Sequence, residues 1–116
     1  MIIGVGIDIL EVDRVKKVVE RNLRFLGRVF TENETQYSLP KKNKYQHLAA
    51  RFAAKEAFFK AIGKRISWTE VEVVNEPSGQ PRLLVHAKED LGFTRCHLSL
   101  SHLAEHALAV VVLEKD

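Results

Sequence analysis

The amino-terminal run MIIGVGIDILEVDRV sets the first limit on the fold. Residues 2–10 read as a buried β-strand, in which Val5, Ile7 and Ile9 alternate with Gly4, Gly6 and Asp8. Gly4, Gly6 and Asp8 then share one face, bare apart from a single carboxylate. A glycine-lined face lets a ligand or another backbone come close. A dinucleotide-binding loop would need G-x-G-x-x-G, a helix directly after it, and an acid about 20 residues on. Here the third glycine position is Ile9 and the strand runs through the motif, so that reading fails. Two readings of the face stay open. A helix packs on the glycines and Asp8 caps the next turn, or the face serves a ligand and Asp8 is its reactive group.

The remaining chain fits one α+β domain, residues 1–116, with an antiparallel sheet packed against helices. A helix is expected from about 13 to 26, with Asp13 near its start and Gly27 near its end. Thr31 followed by Glu34 is a capping-box pattern and starts a second, short helix. Pro40 and KKNKYQ form a loop. A long helix follows from about 46 to 62, with Gly63 placed to end it. Val71–Val74 and RLLVH read as strands joined by the turn PSGQP, and LGF at 91–93 is a further turn region. CHLSLS and ALAVVVL close the chain as a hairpin.

Composition removes several function classes. A hydrophobic share of 46% argues against disorder. The one cysteine, Cys96, excludes an internal disulfide and a cysteine-based zinc site, and reads as a buried apolar residue in a reducing compartment. No signal-peptide pattern and no apolar run near the ~20 residues of a membrane helix occurs. The expectation is a soluble cytoplasmic protein. A net charge of +3 points to acidic or phosphate-bearing partners without requiring nucleic acid.

Three further segments carry chemistry. In HLAARFAAKEAFFKAIG, Ala50, Ala53, Ala54, Ala57, Phe58 and Ala61 fill one helical arc suited to close packing. Glu56 and Lys60 lie at i and i+4 on its edge, with Arg51 and Lys55 on the more open side. On spacing alone the pair is an ordinary surface ion pair. If Glu56 faces Asp8, two carboxylates meet in a hard-cation site suited to Mg²⁺, with Lys60 and Arg51 placed for phosphate. Arg14, Lys17, Arg21 and Arg24 fall three, four and three apart, one cationic stripe opposite a valine-rich face. Such a stripe is either a solvated surface or a seat for an acidic protein or nucleic acid. CHLSLSHLAEHA lacks the G-x-S-x-G of a serine hydrolase, and His97 and His102 fall on different strand faces, which argues against a metal cluster. His102, beside the turn, is the histidine singled out for a role.

These pieces, in this order, resemble the holo-acyl-carrier-protein synthases, the small type of phosphopantetheinyl transferase. GVGIDILEVDRV (4–15) and RFAAKEAFFKAIG (51–63) match the two main motifs; HLSLSH (97–102) and the GQP turn (79–81) add to the likeness, which spans the whole chain. The resemblance implies Mg²⁺-dependent transfer of 4′-phosphopantetheine from coenzyme A to a serine of apo-acyl carrier protein, releasing 3′,5′-ADP, in fatty acid biosynthesis. It makes Asp8 and Glu56 the Mg²⁺ ligands and Lys60 a contact to the coenzyme A phosphates. It puts Arg51 and His102 in the nucleotide site and the α-helical cations in contact with the carrier protein. It leaves the proton acceptor open between Glu56, a water that a carboxylate orients, and His102. It implies a homotrimer with active sites between subunits, so that Asp8 and Glu56 need not meet within one chain. The sequence departs from the family at Arg65, where a second glycine is common, and at Leu103 and Ala104, where a small hydroxylated residue and a lysine are usual. Side-chain contacts to coenzyme A are unsupported there, while backbone contacts survive. Two other classes compete: a small basic Mg²⁺-dependent nuclease or nucleic-acid-binding domain, and a trimeric binding module without catalysis. Against the nuclease, Glu56 and Lys60 sit on a helix, and no aromatics interleave with the cations.

Overall fold

Gly4 and Gly6 decide how the chain packs. In the computed structural model, which describes residues 1–116, β1 (Ile2–Glu11) lies against α4 (Lys44–Ile62). A Cβ on Gly6 would overlap the Ala57 carbonyl oxygen and sit 2.8 Å from its carbonyl carbon. One on Gly4 would sit 3.1 Å from the Ala61 carbonyl carbon. Strand backbone and helix backbone therefore touch directly. This helix-on-glycine packing is one of the two open readings of the strand. Asp8, however, does not serve as a turn cap.

The close approach turns β1 inside out relative to the expectation of a buried strand. The glycines face inward, so the large residues face outward: Val5, Ile7 and Ile9 are 59%, 55% and 67% exposed. β1 pairs antiparallel with β5 (His106–Glu114), which pairs with β4 (Arg95–His102), in the order β1-β5-β4. Gly6 stands opposite Val111 and Asp8 opposite Ala109. Ala107, Ala109, Val111 and Leu113 of β5 are buried under α4. A separate two-stranded sheet, β2 (Val71–Asn75) with β3 (Pro81–Val85), covers another part of the helix. The antiparallel α+β architecture thus holds, divided into two sheets. α4 ends at Gly63, whose φ of 77° is the left-handed cap that the sequence indicated. No helix is long and apolar enough to cross a membrane.

The first helical segment breaks in two. α1 spans Val12–Arg21 and α2 spans Arg24–Val29. Asn22 sits between them in extended conformation, and its side-chain oxygen accepts from the Arg24 amide at 3.1 Å. That local bond competes with the helix. Gly27 consequently lies inside α2 and ends nothing. α3 (Glu32–Ser38) starts with the expected capping box: Thr31 Oγ1 accepts from the Glu34 amide, and Glu34 Oε1 from the Thr31 amide.

Lys55 and Arg51 are buried, contrary to their expected place on the open side of α4. Lys55 Nζ donates to Glu34 Oε1 at 2.7 Å, to the Val29 carbonyl at 2.6 Å and to the Trp68 carbonyl at 3.0 Å. Glu34 Oε2 accepts from the Val73 amide at 2.8 Å. Every polar atom of this ion pair has a partner, which is the condition for burying it. The pair fastens α3, α4 and β2 to one another.

Replacing Gly6 with Ala should destabilise the fold by about 3 kcal/mol or more, because the clash is with backbone. Gly27→Ala meets no atom within 4 Å and should stabilise by ~0.5–1 kcal/mol. Urea unfolding of the two variants measures both signs.

Candidate active site

The inward face of β1 delivers Asp8 to the edge of α4. Lys60 Nζ donates to the Ile7 carbonyl at 2.9 Å and to Asp8 Oδ1 at 3.3 Å. Glu56, one turn back along α4, contributes to the field at Asp8. Burial lifts the Asp8 carboxyl above its ordinary range, against the pull of Lys60, and the Glu56 charge pushes the same way. Glu56 and Lys60 do not form the surface pair that their spacing allowed. Lys60 turns to Asp8, and Glu56 turns to Arg65, whose Nη1 and Nη2 donate to Oε1 and Oε2 at 3.2 and 3.3 Å. Both carboxylates are mostly covered, with side chains 17% and 18% exposed. An open hollow of about 280 Å³ adjoins them, lined by Glu56, Phe59, Lys60, Gly63, Lys64 and Arg65. One chain therefore brings Asp8, Glu56 and Lys60 together.

Two carboxylates with no third acidic or imidazole ligand match Mg²⁺, which keeps waters and takes phosphate oxygens as further ligands. A lysine between strand and helix adds the positive charge that a phosphate needs.

Arg51 and His102 form a second group. Arg51 and Lys60 are nine residues apart, about half a turn out of phase, so they leave α4 on opposite sides. The Arg51 guanidinium lies 4.3 Å from the Tyr37 ring centroid and donates to Asn75 Oδ1 at 2.7 Å. Its Nε is buried without a partner. His47, one turn before Arg51, meets the Tyr37 ring edge to face and the His102 ring at a tilt, at centroid distances of 5.6 and 6.0 Å. Burial, and then the charges of Arg51, Lys41 and His102, hold the His47 imidazole below its ordinary value. This is a cationic corner in which Arg51 also feels the charge of Glu34. His47 and Tyr37 were not among the sequence candidates. The i, i+4 spacing of His47 and Arg51 was the available signal.

The cationic stripe survives in part. Arg14, Lys17 and Arg21 lie exposed on α1, but Lys17 is bound to Asp13 at 2.9 Å, so an acid stands in the row. Arg24 belongs to α2, beyond the Asn22 break. A larger hollow, about 510 Å³, lies between the starts of α1 and α4 and the β4–β5 turn; it holds none of the candidate catalytic residues.

A family model of the 4′-phosphopantetheinyl transferase superfamily matches residues 4–111. A holo-[acyl-carrier-protein] synthase of Koribacter versatilis is 45% identical across 98% of this chain and 99% of its own. The crystal structure of a holo-(acyl-carrier-protein) synthase from Bacillus anthracis, in complex with CoA (3′,5′-ADP), is 38% identical with a TM-score of 0.87, covering 100% of this chain and 99% of that one. The Helicobacter pylori synthase in complex with coenzyme A is 30% identical with a TM-score of 0.85, covering 95% and 99%.

His47 should titrate below the ordinary histidine value of about 6.5 in an NMR pH series. The unfolded chain then takes up this proton first. The His47 contribution to stability is therefore complete above that value and is lost as pH falls towards the folded value. Inorganic phosphate should raise the folded value; no response to phosphate would mean that the corner does not seat anions.

Proposed function

Since the chain belongs to the 4′-phosphopantetheinyl transferase superfamily, in its holo-[acyl-carrier-protein] synthase branch, we propose that the Asp8–Glu56–Lys60 cluster is its active centre. The reaction moves 4′-phosphopantetheine from coenzyme A to a serine of apo-acyl carrier protein. The serine oxygen bonds to the phosphorus that carries pantetheine, the bridging P–O bond breaks, and 3′,5′-ADP leaves. The single observation that carries this assignment is the convergence of the two carboxylates and Lys60 within one chain.

Asp8 and Glu56 would hold Mg²⁺, which when bound screens the diphosphate charge that repels a nucleophile. Lys60, tethered by the Ile7 carbonyl, presents its ammonium where the departing phosphate gains charge. The serine proton passes to Glu56 or to a water that a cleft carboxylate orients. Arg51 and His102, joined through His47, supply a separate seat for the nucleotide phosphate. His47 belongs to that seat by position.

Residues 1–116 act as one transferase domain within a homotrimer. Two features favour assembly. The outer face of the sheet sets exposed Val5, Ile7 and Ile9 beside Val112, Val110 and Leu108, an apolar patch on a chain of this size. The two candidate groups also leave α4 on opposite sides, as a cleft shared between subunits requires. The cations Arg14, Lys17, Arg21 and Arg24 form the docking face for the acidic carrier protein, and its encounter rate should fall with salt. We assign the enzyme to fatty acid biosynthesis in the cytoplasm. In a reducing compartment the half-buried Cys96 is inert, its thiol pushed up to about 11 by burial.

Incubation with apo-acyl carrier protein, coenzyme A and Mg²⁺ should add one phosphopantetheine to the carrier by mass spectrometry. An unmodified carrier would contradict the assignment. Asp8→Asn and Glu56→Gln should each cut kcat by about 100-fold or more while circular dichroism stays unchanged. Arg21→Glu should mainly raise KM for the carrier protein; an unaltered KM would remove the docking face.

A further inference from the structure

Arg65 touches the proposed metal ligand directly. Its two terminal nitrogens face the two Glu56 oxygens at 3.2 and 3.3 Å. The guanidinium carbon also lies 5.6 Å from the ring centroids of both Phe59 and Trp68. The aromatic faces give the side chain a defined resting place.

The same contact competes with others. A fork-to-carboxylate pair uses both Glu56 oxygens, and a divalent cation needs at least one of them. Guanidinium and metal ion also repel each other. Binding one therefore weakens the hold of the other. The release is easy: the Arg65 side chain is 64% exposed. Its bonds are longer than the ~2.7–2.9 Å of a tight charge-assisted pair. Arg65 lies two residues beyond the Gly63 cap, in the hollow that also holds Lys60 and Lys64. Lys64 is held by Glu89 at 2.6 Å, and Lys60 keeps the Ile7 carbonyl at 2.9 Å besides Asp8, so Arg65 is the cation of the hollow whose one acidic partner is a proposed metal ligand and which has no second hydrogen bond to fall back on.

We propose that Arg65 is an exchangeable counter-ion, closing Glu56 until a divalent cation displaces it and then binding a phosphate of coenzyme A. The proposal rests on the reading of Glu56 as a metal ligand.

Calorimetry on the full chain tests it with two titrants, Mn²⁺ alone and coenzyme A at saturating Mg²⁺. Arg65→Ala should tighten Mn²⁺ binding by roughly two- to fivefold, the size of an exposed ion pair, and weaken coenzyme A by a similar factor. Arg65→Lys should retain most of the coenzyme A affinity, since it keeps the charge. A clamp with a merely structural role would shift both affinities the same way or neither. Unchanged Mn²⁺ affinity, or undiminished coenzyme A affinity, in Arg65→Ala overturns the exchange. Glu56→Gln separates the two levels. If it abolishes Mn²⁺ binding, the metal reading stands and only the role of Arg65 is in question. If Mn²⁺ binding persists, the metal reading itself falls and the exchange with it.

Discussion

The contact between the β1 backbone and the α4 backbone governs the rest of the molecule. Gly6 against the Ala57 carbonyl and Gly4 against Ala61 leave no room for a side chain between strand and helix. Two consequences follow from the period of two along a strand. The next inward residue, Asp8, is held against the helix edge, within reach of Lys60 and in the field of Glu56. The outward residues Val5, Ile7 and Ile9 go to solvent in the single chain. A larger inward residue would separate strand and helix and move Asp8 away. Packing and the geometry of the proposed site are therefore one requirement on the same strand.

Charge is distributed around α4 with a clear division of labour. On the side facing β1, Lys60 and Glu56 are partly exposed and bound to groups they can exchange. On the far side, Lys55 is sealed in an ion pair with Glu34 that has no exposed atom to exchange. Burial pulls the Lys55 ammonium below its ordinary range, and Glu34 pulls it back. One helix thus carries a fixed pair that anchors α3 and a loose set that can meet phosphate. The distinction lies in solvent access, since the residue types are the same.

Local patterns were readable before the fold was known. The Gly–Asp face of β1, the Thr31–Glu34 capping box, the left-handed stop at Gly63 and the closing hairpin all depend on neighbours within a few residues. The sign of β1 was not readable. Alternation identifies two faces, but only the tertiary contact with Ala57 and Ala61 says which of them turns inward. Lys55 and Arg51 were misplaced for a similar reason: a lysine on a helix defaults to water unless a distant acid is supplied, and Glu34 is 21 residues away in the chain. The break at Asn22 was legible in principle, because asparagine bonds to nearby amides. The valine stripe around it concealed the signal. Of the candidate site, Asp8, Glu56 and Lys60 could be named from motif resemblance, and the geometry unites them. His47 had only its i, i+4 spacing to Arg51 as a signal, and Tyr37 became visible only when α3 was placed beside α4.

The central claim is that the glycine contact lets a single chain supply both carboxylates of one metal–phosphate site. A crystal of the protein with Mn²⁺ and coenzyme A, measured for anomalous scattering, tests it most directly. The account predicts a manganese peak within ~2.5 Å of oxygens from Asp8 and Glu56 of the same chain, with coenzyme A phosphate oxygens completing the shell. A peak held by carboxylates of different chains, or one away from Asp8, would contradict it.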